Sequence, residues 1–199
     1  MTLTEPIRDK RHVKQLLTYY AARGETRNHL LITLCLHTAL RISDVLRLTT
    51  DDVYDFENRR VRKAITIIEN KTKKSKTIAL HKNITHVLSA CLPSAKPNLP
   101  LIRNKRTNKP LSRVQAYRII RAAAEGVSLP QRVSCHSLRK TFGYHSWKNG
   151  VSPAVIMEIF NHSNFVITRR YLGVSRDDTD KVYIELFRNY AGYLSPSQL

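Results

Sequence analysis

Only three of the 199 residues are cysteine, Cys35, Cys91 and Cys135, an odd number at wide spacing with no C-x-x-C pair. That usage suggests neither a disulfide framework nor a zinc ribbon, and it points to a reducing, cytoplasmic setting. Long apolar runs are missing too. The most apolar stretch, Leu30 to Leu36, is far shorter than the ~20 residues that span a bilayer, and no apolar signal core follows the first basic residues. A soluble protein is expected. Glycine is scarce, with six in the chain, and neither G-x-x-x-x-G-K-[ST] nor another glycine-rich loop occurs, so no nucleotide cradle is written here. The histidines form no H-E-x-x-H pattern, which argues against a catalytic metal. Acidic residues are the last shortage: 15 Asp and Glu face 34 Lys and Arg, leaving a net charge of +19. Solubility needs far less, and a polyanionic partner, nucleic acid first, accounts for the excess.

Apolar periodicity and end signals predict a mainly helical chain with one small antiparallel sheet. Residues 27–40 read as a core helix, and Ser43 as the cap of a second helix carrying Val45, Leu46 and Leu48, which leaves Arg41 at a helix junction. The β-branched run from Val61 to Ile68, the polar NKTKKSK and the TIAL that follows predict a hairpin with a basic tip from which Lys71 projects. A short helix near Ile84 to Cys91 gives way to a Pro-rich loop. Ser112 caps a helix expected to bury Val114, Tyr117, Ile120 and Ala124 and to offer Arg113, Arg118 and Arg121 to phosphates. A helix through HSLRKTFGYHSWK stops at Asn149 and Gly150, and Ser152 with Pro153 starts the next. Val182, Leu186, Tyr190 and Tyr193 mark one face of a final amphipathic helix over 179–193, suited to docking on another subunit.

Six residues stand in a telling order: Arg41 in TALRISD, Lys71 in NKTKK, His136 and Arg139 in HSLR, His162 in NHSN, and Tyr171 in RRYLG, nine residues after that histidine. Singly each has a bland reading, Tyr171 as a packing residue and the arginines as ion-pair partners. Together they resemble the tyrosine recombinase (phage integrase) family, from about residue 4 to about residue 190.

The resemblance implies a catalytic-domain fold and a residue set. Tyr171 is the implied nucleophile, giving a 3′-phosphotyrosyl link and a free 5′-hydroxyl, which conserves the phosphodiester energy and needs no ATP or other cofactor. Arg41 and Arg139 would grip the non-bridging oxygens, since guanidinium forks match phosphate geometry. Lys71 would protonate the leaving 5′-oxygen, with Lys73 in reserve. His136 and His162 would bond the phosphate or exchange protons with Tyr171, and either is eligible as the base. Asp44 resembles an acidic residue that orients a catalytic cation. Lys73 and Lys74, with the three helix arginines, are candidate contacts to double-stranded DNA.

The sequence departs from the family pattern at Ala39, where Gly is common before Leu-Arg, and at Phe160-Asn161, where Leu-Gly usually precedes the histidine. No separate core-binding domain fits in the first 25 residues, so one catalytic domain over 1–199 is expected, a core of about 4–175 followed by the C-terminal helix. The implied function is site-specific recombination, of integrase or invertase type, by a homo-tetramer on DNA that is free to be a monomer in solution, in the nucleoid. A non-catalytic DNA-binding regulator and a type IB topoisomerase-like relaxing activity remain open alternatives.

Overall fold

The computed structural model describes residues 4–92, 96–173, 180 and 183–185. Helix α1 (Lys10–Ala21) begins where the Asp9 carboxylate accepts the Arg11 amide at 2.7 Å. Helix α2 (Thr26–His37) buries Leu30 through Leu36 without a break, because α1, α5 (Lys82–Cys91) and α7 (Cys135–Lys148) cover it from several sides. It is the axis of the larger apolar core.

After α2 come the short helices α3 (Ile42–Val45) and α4 (Thr50–Val53), the latter closed by a reciprocal capping box between Thr49 and Asp52. Strands β1 (Tyr54–Asp55) and β2 (Arg60–Val61) make one antiparallel pair, and β3 (Ala64–Ile68) and β4 (Ser75–Ala79) another, in register from Ala64 opposite Ala79 to Ile68 opposite Ser75. The expected hairpin is therefore present, but as one of two small sheets. Residues 96–111 form a loop tied down by bridges Thr49–Pro100 and Arg103–Pro110. Helices α6 (Arg113–Gly126), α7, α8 (Pro153–Ile159) and α9 (Phe165–Leu172) complete the described chain.

Two local expectations change. Ser43 lies inside α3 and caps nothing; the capping position belongs to Arg41, with extended backbone and no side-chain bond. Helix α6 buries Ala116, Ile120, Ala123 and Ala124 and leaves Val114 57% exposed. Small alanines let α6 lie close to its neighbours, which turns the larger Val114 and the half-buried Tyr117 toward an open cleft. The expected terminal helix over 179–193 lies outside the described residues except at 180 and 183–185, which are helical, with Tyr183 and Ile184 exposed.

A second, smaller apolar cluster decides where the chemistry can sit. Ala39, Ile156, Phe160 and Leu172 pack together, joined by Phe142, Trp147 and Tyr171. Gly143 is required here: a Cβ at that position would stand 2.7 Å from the Phe160 ring. The segment before α1 closes over α7, with the Ile7 amide donating to Thr141 Oγ1 at 2.9 Å and Lys140 Nζ to Thr4 O at 2.6 Å.

Candidate active site

A cleft of about 910 Å³ opens between the α2–α3 junction, the β3–β4 turn and the first turns of α6 and α7. Arg41, Lys71, Arg113, His136, Arg139 and Tyr171 all line it. Residues from positions 41 to 171 meet here because helix ends, the β3–β4 turn and the N-terminal part of α7 all face the same opening.

Two left-handed residues aim the arginines. Ala39 has φ 57°, so the chain turns sharply out of α2 and delivers Arg41 into the cleft, while the Ala39 carbonyl accepts from Arg139 Nη1. Asn161 has φ 50° and ends the turn after α8. These are the positions where the family commonly has glycine, which adopts such angles without the Cβ penalty. The Phe160 carbonyl, freed at the C-terminal end of α8, accepts from Arg139 Nη2 at 2.8 Å and Arg41 Nη2 at 3.4 Å. One residue earlier, the Ile159 carbonyl accepts from Lys76 Nζ. Three cations thus gather at the negative end of one helix.

Tyr171, near the end of α9, is held among rings. The His162 imidazole meets it edge-on with centroids 4.6 Å apart, His136 does so at 4.8 Å, and Phe160 lies tilted at 5.1 Å. His162 Nδ1 is within 3.0 Å of Thr168 Oγ1, which fixes the ring toward the tyrosine. Lys140 Nζ sits 5.6 Å from the Tyr171 ring centre.

The electrostatics follow from crowding positive groups in a walled cleft. Enclosure, then the charges of Lys140, Arg139, Arg41 and Lys71, lowers the His136 pKa to about 4. Burial and the charges of Arg139 and Arg41 do the same to His162, also to about 4. Both imidazoles are neutral at pH 7 and able to accept a proton or a hydrogen bond. Arg139 is 2% exposed, and its Nε has no acceptor among the described residues. Burial and the neighbouring Arg41 lower its pKa to about 10. Burial, then Arg139, brings Lys76 down to about 8. The site is a positive concavity with one internal carboxylate pairing Arg41, suited to an anion.

Asp44 is buried beside the cationic cluster, where its charge favours the protonated forms of Arg139 and Lys76. Its Oδ1 accepts the Asn70 amide at 3.0 Å, anchoring the β3–β4 turn, and no ion pair forms to it among the described residues. Glu69 pairs with Arg41 instead, at 3.0 Å from Nη1. Lys71, Lys73 and Lys74 are exposed on the turn, and Lys73 takes a left-handed φ of 57°. Arg113 opens on the cleft and Arg118 is exposed, whereas Arg121 bonds Glu125 Oε1 at 2.6 Å, so part of its charge is already compensated.

Sequence reasoning passed over Glu69 and Lys140, and it places Lys76 on the basic turn beside Lys73 and Lys74 without giving it a role. A signal for Glu69 exists: residues 65, 67 and 69 share one face of an alternating strand, and an acid at an inward position demands a buried partner. For Lys140 there is none, since its partner is a backbone carbonyl 136 positions away.

The model of the phage integrase family matches residues 8–177. The probable integrase/recombinase YoeC of Bacillus subtilis (strain 168) is 34% identical over 183 residues, 92% of this chain and 97% of YoeC. Tyrosine recombinase XerD of Corynebacterium glutamicum is 26% identical over 165 residues; the match takes in 80% of this chain but 52% of XerD, so the chain spans about half of that relative. Among solved structures, XerA recombinase superposes with a TM-score of 0.74 at 19% identity, over 91% of this chain and 65% of XerA. The catalytic domain of bacteriophage HP1 integrase gives 0.60 at 22% identity, over 90% of this chain and 94% of that domain. These structural likenesses speak for the fold, and the family match and the YoeC identity carry the further step: this chain belongs to the phage integrase family of tyrosine recombinases.

Proposed function

We propose that the chain is a catalytic domain that breaks and rejoins double-stranded DNA at specific sites through a covalent link to Tyr171. One observation carries the reading. Two guanidinium groups, Arg41 and Arg139, converge on the Phe160 carbonyl beside a tyrosine flanked by two neutral histidines, in a cleft whose charge calls for an anion.

The chemistry runs as an exchange of esters. Tyr171 Oη attacks phosphorus, the bond to the 5′-oxygen breaks, and a 3′-phosphotyrosyl link remains. His136 or His162 accepts the phenolic proton or steadies a phosphate oxygen. Arg41 and Arg139 meet the charge that grows on the non-bridging oxygens. Lys71, exposed on its turn, gives a proton to the departing 5′-oxygen. Attack by a 5′-hydroxyl from a second strand reverses each transfer, so joining costs no external energy.

Basic side chains around the cleft, Lys73, Lys74, Arg113 and Arg118, suit backbone phosphates, which position a duplex without reading its sequence. A homo-tetramer on DNA is the proposed assembly. It is supported by apolar side chains left exposed beside Tyr171 on α9, Phe165 at 48% and Val166 at 54%, with Tyr183 and Ile184 beyond. Nucleoid DNA in the cytoplasm is the matching place of action.

The test uses a library of duplexes with a randomised centre and a nick. Adducts that survive denaturation are recovered, their DNA is sequenced, and two copies of the enriched site are placed on a plasmid. Exchange between the copies supports recombination. Binding without adducts, or plasmid relaxation without exchange, would replace this reading by a regulator or a topoisomerase.

A further inference from the structure

Glu69 follows β3 and is completely buried. A single oxygen, Oε2, receives three hydrogen bonds from three parts of the chain: Arg41 Nη1 at 3.0 Å, Thr72 Oγ1 at 2.7 Å and Asn161 Nδ2 at 2.8 Å. Arg41 is the first residue on which the proposed chemistry depends. Thr72 adjoins Lys71, and Asn161 adjoins His162. Burial by itself pushes the pKa of this carboxyl up; the bonds from Asn161 and Thr72 and the charge of Arg41 outweigh it and bring it below the ordinary carboxylate value.

We propose that Glu69 is a positioning residue whose one oxygen sets Arg41, the turn bearing Lys71 and the segment bearing His162 in register with one another. It touches no substrate. The idea rests on the catalytic reading above for its effect on rate, but not for its geometry. Asn161 is the coupled half of the device: glycine would hold the left-handed backbone equally well, and only asparagine adds a donor for Glu69. An uncompensated carboxylate at a fully buried site would be costly, so the three donors and the acid belong together.

The wild type, Glu69→Gln, Asn161→Gly and the double variant are compared in two assays. The first is adduct formation at saturating concentration of the duplex enriched on wild type. The second is limited trypsin cleavage of the free proteins after Lys71, Lys73 and Lys74, exposed on the tethered turn.

Asn161→Gly, whose backbone suits glycine, is expected to fold, to bind the duplex with wild-type Kd and to form adduct about 10-fold more slowly, the effect of one lost bond to a charged group. Glu69→Gln is expected to slow it on the order of 100-fold, as misplacement of catalytic groups does. The double variant should be no slower than Glu69→Gln, because both changes break one network. Trypsin should cut the turn about 10-fold faster in Glu69→Gln than in wild type.

Wild-type adduct rates in Asn161→Gly and Glu69→Gln, or additive losses in the double variant, overturn the proposal. So does an unchanged trypsin rate at the turn. If wild type itself forms no adduct, the recombinase reading is what fails, and the trypsin comparison alone decides whether Glu69 holds the turn.

Discussion

The His162 imidazole meets the Tyr171 ring edge-on, 4.6 Å between centroids, and His136 meets the same ring from another side at 4.8 Å. Two residues separated by 26 positions in sequence, one on α7 and one in the segment between α8 and α9, thus flank a third on α9. Both imidazoles are held neutral by enclosure and by the arginines and lysines around them.

That neutrality has a consequence for stability. The folded-state pKa values are about 4, below the ordinary 6.5, so between pH 6.5 and 4 the unfolded chain binds more protons than the folded one. Stability should rise with pH through that window and fall on acidification. His29, His37 and His145 are shifted the same way by burial and add to the slope. Urea unfolding at pH 7.5, 6 and 5 measures it. Replacing both His136 and His162 by Gln should flatten the profile; an unchanged slope would mean that these two are not held neutral.

Lys71 and Lys76 are separable by the chemistry of the leaving group. Lys71→Ala should slow adduct formation roughly 100- to 1,000-fold on ordinary DNA, as expected for loss of a general acid. A duplex with sulfur in place of the bridging 5′-oxygen should restore the rate, since a thiolate leaves without a proton. Lys76 lies half-buried with its amine on the Ile159 carbonyl. If sulfur rescues Lys76→Ala and not Lys71→Ala, the acid is Lys76.

Arg113 and Arg121 should differ in salt dependence although both lie on α6. Loss of one phosphate contact lowers the slope of log K against log salt by about 1. Arg113→Ala is expected to do so, while Arg121→Ala, already paired with Glu125, should leave the slope nearly unchanged. Equal effects measured by titration at several salt concentrations would contradict this placement.

Gly143→Ala probes the support beneath the tyrosine. The added methyl would stand 2.7 Å from the Phe160 ring, which itself packs on Tyr171 and beneath the Arg139 guanidinium. Overpacking of this kind costs about 1–3 kcal/mol, and both Tm and the rate of adduct formation should drop. A stable variant with full rate would show that the Phe160 ring can move without cost to the site.

Most helices were legible in the sequence because their ends carry chemical marks: Ser112 and Ser152 cap as expected, and α7 runs into Asn149 and Gly150, the latter at φ 86°. The ordered set from Arg41 to Tyr171 was also legible, and five of those six side chains line one cleft, with His162 against the tyrosine. Relations set only by tertiary packing were not. Val114 reads as a core residue on a helical wheel, yet it faces the cleft because Ala116, Ile120, Ala123 and Ala124 let α6 roll. Asp44 and Glu69 differ in nothing that sequence spacing reveals; which of them reaches Arg41 depends on how β3 ends. Ala39 and Asn161 stood out as departures from glycine, and their positive φ angles supply the reason glycine suits those sites.

The most direct measurement compares wild type and Tyr171→Phe on the enriched nicked duplex, scoring protein–DNA adduct after denaturation and the binding constant before it. The expected result is adduct in wild type, none in Tyr171→Phe, and similar affinity in both. Adduct retained by Tyr171→Phe would contradict the assignment of Tyr171 as the nucleophile.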